Sequence, residues 1–263
     1  MINSILKALD VLALFSTTEP RLNLATISKR LDLPKSTVHN LLQTLMSRGL
    51  IEQLETGDYA VGTALIVLSQ SARVNVEFRD RAAPLLRELA DASHESIYLT
   101  VRDGDCGLYI YAIESRHRLL ARSAIGDRVP LHCTGNGKSI LAHFSSADLN
   151  AFAQRTSLPR FTPATITSLE ALSEEIKQIR EQGYALDRQE HELQTYCIGA
   201  PILDARACAI GACSISGNDP EIITSRLPSL VEHLKYTAQE ISRYMGFVPD
   251  SISQVNRLFA GRV

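Results

Sequence analysis

At 263 residues, 45% of them apolar and 21% charged, the chain is long enough for two ordinary domains, and its composition excludes a disordered or fibrous protein. No run approaches the ~20 apolar residues a membrane span requires, and Met1 to Asn3 enter an amphipathic pattern with no secretory leader, so a soluble protein in the cytoplasm is expected. A formal net charge of −2 excludes polyanion binding by bulk charge, and five cysteines without a CxxC pair exclude a disulfide framework or zinc knuckle.

Three helical patterns open the chain. Ile5, Leu9 and Leu12 form an apolar stripe that Asn3 or Ser4 can cap. Asn23 can cap a second helix with Leu24, Ile27 and Leu31 on one face, ended by Asp32-Leu33-Pro34. Pro34 then suits the first turn of a third helix, in which Val38, Leu41, Leu42 and Leu45 fall at i, i+3, i+4, i+7 and Gly49 stands at the C-cap. Two short helices across a tight turn predict a helix-turn-helix. Residues 50–54 and 59–61 flank Glu55-Thr56-Gly57-Asp58 as a β-hairpin, which completes the order of a winged helix.

Lys35, Ser36, Thr37, His39, Asn40, Gln43 and Ser47 lie on the face of the third helix away from the apolar stripe. A solvated surface would account for such a face, but Asn and Gln can each bond an adenine edge twice, and Ser, Thr and Lys can hold phosphates. Residues 1–62 carry six Lys/Arg and six Asp/Glu, whereas within 27–49 Lys29, Arg30, Lys35 and Arg48 oppose only Asp32, a local +3 where DNA contact would fall. The hairpin bears Glu52, Glu55 and Asp58 and no cation, so little phosphate binding is expected from it.

A connecting helix is predicted over 63–79 and another over Asp80–Ala92. Alternation at Ile97, Leu99, Val101 and at Leu108, Ile110, Ala112, around Asp103-Gly104-Asp105, predicts a hairpin. A further strand is expected at 119–124, helices near 147–154 and 169–182, strands near 184–188, 196–203 and 208–216, and a closing helix over 225–244. The fold class is α+β: a winged helix at 1–62, the linker helix, a larger domain at 80–250 around a mostly antiparallel sheet, and a tail at 251–263.

His132-Cys133-Thr134-Gly135-Asn136-Gly137-Lys138-Ser139 has the look of a phosphate loop, but His132 stands where a Walker A motif needs its first glycine, so nucleotide hydrolysis is excluded. Free amides at the start of the following helix would suit a carboxylate, and an ordinary helix cap would explain them equally. Ser214 and Ser216, two apart on a strand, point to one side.

Together these segments resemble the IclR (isocitrate lyase regulator) family. The run LATISKRLDLPKSTVHNLLQTLMSRGL, Leu24 to Leu50, followed by Tyr59-Ala60-Val61-Gly62, is similar to that family's DNA-binding half, which opens its recognition helix on Leu-Pro-x-Ser-Thr and ends its wing on Tyr-x-Leu-Gly. Asn40 stands where many members carry Arg, which implies a different operator. Gly183-Tyr184-Ala185-Leu186-Asp187, Glu190, Cys197-Ile198-Gly199-Ala200-Pro201 and Ser214-Ile215-Ser216-Gly217 resemble its effector domain, with Gly199 in place of the usual Ala and Gln194 where Gly is common. The resemblance runs from about Ser4 to Gly217. It implies a GAF-like effector domain and a homodimer or tetramer on a palindromic operator. It also implies contacts to a small organic acid from Gly135, Asn136, Asp187, Cys197, Ser214 and Ser216, with an apolar wall near Leu120, and no cofactor or catalysis. Three alternatives stand beside it: a Cys197-His132-Asp187 hydrolase, a metal held by His132, Cys133, His191 and Cys197, and a ligand-free dimerisation module with a sealed apolar interior.

Overall fold

The computed structural model describes residues 2–16, 18–70, 78–115 and 125–248. The chain divides into two compact units, Met1–Val76 and Glu77–Val263.

In the first unit, α1 (Asn3–Ala13), α2 (Leu24–Leu31) and α3 (Lys35–Met46) pack with a three-stranded sheet of order β1-β3-β2, from Arg21–Leu22, Tyr59–Val61 and Ile51–Gln53. Asn23 caps α2 by accepting from the Thr26 amide at 2.9 Å, and Asp32 ends that helix in the left-handed region at φ 52°. Val11, Ile27, Val38, Leu42 and Ile51 are buried in one core with Tyr59. Two expectations for α1 need correction. No side chain caps it, Ile2 being its N-cap, and its predicted stripe is divided: Ile5 and Leu9 are 54% and 55% exposed, while Leu12 packs on the core that Val11 enters. The short β1 was not anticipated, since two residues carry no alternation. Helix α4 (Ala64–Gln70) follows β3; residues 71–77 of the expected linker helix, the expected strand at 119–124 and the tail at 251–263 lie outside the described residues.

The second unit is built on a six-stranded antiparallel sheet of order β6-β5-β4-β9-β8-β7. Its strands are β4 (Ser96–Asp103), β5 (Cys106–Ile113), β6 (Arg128–Pro130), β7 (Ala185–Arg188), β8 (Tyr196–Leu203) and β9 (Ala209–Gly217). One face presents Ile97, Leu99, Ile198, Ala200, Ile202, Cys213 and Ile215 to α5 (Asp80–Ser93) and α9 (Leu227–Tyr244), forming the larger core. The opposite face is covered in part by α6 (Gly135–Leu141), α7 (Ser146–Thr156) and α8 (Leu169–Gln182), whose core holds Ile140, Leu141, Phe152, Leu172 and Ile176. Period-2 alternation on β4 and β9 therefore separates an apolar face from a polar one, and the polar face lines a cavity.

The glycine-bearing stretch expected as a turn is helix. Gly135 and Gly137 sit in α6 because a Cβ at Gly137 would stand 2.4 Å from the Leu131 Cα and carbonyl oxygen, and one at Gly135 would stand 2.9 Å from Cys197 Sγ. Glycine costs a helix about 1 kcal/mol, and close packing on the sheet outweighs that here.

Candidate functional site

Two regions hold the residues expected to carry function, one in each unit. On α3, Val38, Leu42 and Leu45 are buried, which turns Lys35, Ser36, His39, Asn40 and Gln43 outward and leaves Thr37 half-buried. The Ser47 hydroxyl is turned back onto the Thr44 carbonyl at 2.7 Å, so it is spoken for within the helix. The remaining exposed groups are short donors and acceptors on one side of a helix held by a three-helix core, the form in which base edges are read.

In the second unit, sheet register assembles the other site. Asp187 on β7 is paired with Cys197 on β8, Cys197 with Ser216 on β9, and Ser216 with Ser96 on β4. The next row joins Gly199, Ser214 and Tyr98. Side chains directly opposite one another share a face, so Asp187, Cys197, Ser214, Ser216 and Tyr98 look into one cavity of about 350 Å³. That volume falls in the usual range for a small-molecule pocket, roughly 300 to 1,000 Å³. Asn136 enters it from α6, with its amide nitrogen donating to Thr100 Oγ1 at 2.7 Å.

Of the residues expected around an effector, Asn136, Asp187, Cys197, Ser214 and Ser216 are thus brought together. Gly135 lies behind the cavity wall, where its lack of a side chain lets α6 touch Cys197 and Gly199. Leu120 lies outside the described residues. Residues not singled out for the site complete the lining: Tyr109, Asp127, Arg128 and Val129 from β5 to β6, Thr134 from the α6 cap, and His191, Glu192 and Thr195 from the loop between β7 and β8. The alternation that placed Tyr98 and Tyr109 opposite the core residues of their strands was a signal for both tyrosines; their rings pack at a 41° tilt with 5.0 Å between centroids.

Burial governs the chemistry of the wall. Asp187 is 3% exposed, and burial, reinforced by the nearby Glu190 and opposed by the Glu190 amide that donates to Oδ1 at 2.7 Å, pushes its carboxyl up to about 7. Near neutral pH it can therefore donate as well as accept a hydrogen bond. Lys138 is wholly buried and turned away from the cavity; Nζ lies 2.6 Å from Glu190 Oε1 and 2.8 Å from Glu175 Oε1. This clamp ties α6 to α8 and to the loop after β7. Burial still raises the Glu190 carboxyl against the pull of Lys138, and its second oxygen has no hydrogen-bond partner among the described residues.

The catalytic alternative finds no support in this geometry. Burial pushes the Cys197 thiol up to about 12, so it is no thiolate nucleophile. His132 is held against the Pro159 carbonyl, its Nε2 at 3.0 Å, and is not among the groups lining the cavity. Among the described residues no cluster of His, Cys, Asp and Glu has the arrangement to hold a metal, and His132, Cys133, His191 and Cys197 do not converge. A sealed apolar interior is also at odds with a wall of hydroxyls and carboxyls.

Residues 4–55 match the family model for the IclR helix-turn-helix domain, and residues 70–243 match that for the C-terminal region of the bacterial transcriptional regulator IclR. The chain belongs to the IclR family. It is 36% identical to the HTH-type transcriptional regulator XynR of Escherichia coli K12 over 248 residues, covering 94% of this chain and 98% of that one. Among solved structures, the IclR of Thermotoga maritima superposes with a TM-score of 0.79 at 28% identity, covering 94% of this chain and all of the other. An IclR homolog of Microbacterium hydrocarbonoxydans, solved in complex with 4-hydroxybenzoate, shares the fold with a TM-score of 0.84 at 22% identity, covering 92% and 98% of the two chains. This IclR-family chain is accordingly a DNA-binding transcriptional regulator, and none of its described helices is long and apolar enough to cross a membrane.

Proposed function

We propose that this IclR-family chain is a homo-oligomeric regulator that acts in the cytoplasm, reads a palindromic operator through Lys35, Ser36, Thr37, His39, Asn40 and Gln43, and answers to a small organic acid bound in the cavity of its second unit. It carries no catalytic step. The observation that bears most of this reading is the cavity itself: four buried polar side chains, Asn136, Asp187, Ser214 and Ser216, face a space of ligand size. Burying polar groups is costly unless something bonds to them, and a ligand with hydroxyl and carboxyl oxygens supplies both donors and acceptors. Asp187 with its proton and the two serine hydroxyls can donate to a carboxylate, as can the Arg128 Nη1 left over from that side chain's pairing with Asp103 through Nε and Nη2. The complex of the Microbacterium homolog with an organic acid supports the same ligand class.

Oligomerisation is supported by the apolar stripe left open on the first unit. Ile2 at the N-cap of α1 and Ile5, Leu6 and Leu9 on that helix are exposed, as are Ile66, Val67 and Leu68 on α4. A second copy related by a two-fold axis would cover these residues and place two α3 helices for half-sites about 34 Å apart. For regulation, the acid must bind the DNA-competent and DNA-incompetent arrangements with different affinity.

Thermal unfolding against a panel of small organic acids tests the sensor half. A ligand at 100 times its Kd stabilises the native state by about 2.7 kcal/mol, enough to move the midpoint visibly. The expected outcome is a shift with one acid that disappears in the Ser214→Ala, Ser216→Ala double variant. Silence across the panel, or a shift that survives in the double variant, refutes the assignment.

A further inference from the structure

A second cavity, about 460 Å³, lies in the same unit at the far end of β8. Cys197 at the start of that strand lines the first cavity and Leu203 at its end lines the second. The two differ in charge. The first is lined by Asp127, Asp187 and Glu192 beside Arg128, a cation already paired with Asp103 at 2.7 Å, whereas the second is lined by Arg180 on α8 and Lys235 on α9 with no carboxylate among its described walls. Neither cation makes an ion pair among the described residues. Instead Arg180 donates to the Ala142 and Phe144 carbonyls at 2.7 and 2.6 Å, closing the C-terminal end of α6, and Lys235 donates to the Gln182 carbonyl at 3.0 Å, closing the end of α8.

Those caps do not neutralise the site. A helix C-terminus carries roughly half a negative charge, so two ends against two full cations leave a balance of about +1. Among the described residues, Arg180 Nη1 and two of the three Lys235 N–H bonds have no acceptor. His143, also in the wall, adds no further charge at neutral pH, because desolvation and the adjacent Arg180 hold its imidazole below the ordinary value. Apart from the uncharged polar side chains of Gln239 and Ser242, the rest of the described wall is apolar, with Ile179, Ala200, Leu203, Ala238 and Phe247. One net positive charge beside an apolar floor matches a ligand with one negative charge and a hydrocarbon body.

We propose that this cavity is a second ligand site, for a small amphipathic monocarboxylate whose carboxylate meets Lys235 and Arg180 and whose hydrocarbon lies on Ile179, Ala200 and Phe247. It is independent of the organic-acid site proposed above, and the IclR-family sensor would carry two inputs on one strand.

Isothermal titration of the full chain with hexanoate, and with hexan-1-ol as the uncharged counterpart, tests the assignment. Hexanoate is expected to bind the wild type and the Ser214→Ala, Ser216→Ala variant equally, at least about tenfold more weakly to Lys235→Gln, and far more tightly than hexan-1-ol binds. Because Lys235→Gln removes a helix cap, Gln239→Trp serves as a second variant; Gln239 is an exposed wall residue with no cap to lose, and an indole there should block hexanoate. No binding to the wild type, equal affinity for hexan-1-ol, or unchanged affinity in both Lys235→Gln and Gln239→Trp overturns the proposal. Loss of binding in the Ser214/Ser216 variant instead assigns hexanoate to the first cavity and also overturns it, without touching the first site's assignment.

Discussion

Replacing Asp187 by Asn should make the second unit more stable, and increasingly so as pH rises. The carboxyl has a pKa raised from 3.8 to about 7, chiefly by burial. A carboxyl raised in the folded state contributes its full stability below the unfolded value and loses it as pH climbs through the folded one. The loss runs from about pH 3.8 to 7 and, at about 1.36 kcal/mol per unit, totals about 4 kcal/mol. About 2.5 kcal/mol of it falls between pH 5 and pH 8 by the same relation. Asparagine keeps an oxygen for the Glu190 amide but has no proton to lose. Urea unfolding of wild type and Asp187→Asn, followed by far-UV circular dichroism because the chain has no Trp, gives the difference at each pH, in which most other titrations cancel. The advantage of the variant should grow by about 2 to 3 kcal/mol from pH 5 to pH 8. A difference that stays flat, or shrinks, would show that Asp187 is ionised in the folded protein and that the cavity is wetter than its burial implies.

Three further outcomes are expected. Gly199→Ala places a Cβ 2.3 Å from the Gly135 carbonyl carbon and oxygen, so α6 must back away from β8; the urea midpoint should fall by the equivalent of about 1 to 3 kcal/mol, and an unchanged midpoint would mean that the helix yields freely. Asn40→Ala or Gln43→Ala should weaken operator binding by about 1 to 3 kcal/mol in fluorescence anisotropy, while the thermal response to effector persists; wild type and variants that bind operator and scrambled DNA alike would contradict a base-reading role. Leu9→Asp should shift sedimentation toward the monomer, since each buried leucine contributes about 1.5 to 3 kcal/mol and a two-fold interface contains it twice; an unaltered coefficient would take α1 out of the interface.

Much of the winged helix was legible because its signals are local: the Asn23 cap, the stripe of α3 and the Gly57 turn each act within a few residues. The outward part of the α1 stripe, Ile5 and Leu9, differs from expectation for a physical reason. Periodicity identifies an apolar face, but what covers that face is decided by the tertiary contacts of Val11 and Leu12 and by whatever meets Leu9. In the larger unit, strands of eight or nine residues, such as β4 and β9, show their alternation, whereas β6, with three, has too few residues to do so. Five of the seven expected effector residues line the cavity, while Tyr109 and Glu192 were not foreseen and His191 was weighed only as a metal ligand. Their place depends on β9 pairing with both β4 and β8, a long-range event that no window of sequence records. Lys138 shows the same limit: beside Gly135 and Gly137 it resembles a phosphate ligand, and burial between Glu175 and Glu190 makes it a clamp.

The central position of β9 has a consequence for synthesis. This strand lies between β4 and β8, so until Ala209–Gly217 leave the ribosome the sheet is two separate pieces and the cavity has no shared wall. The winged helix, whose last strand ends at Val61, is complete long before. A chain that stops between these points therefore keeps the DNA-binding unit and lacks the cavity, and on the proposed reading it would compete for operators while deaf to the effector.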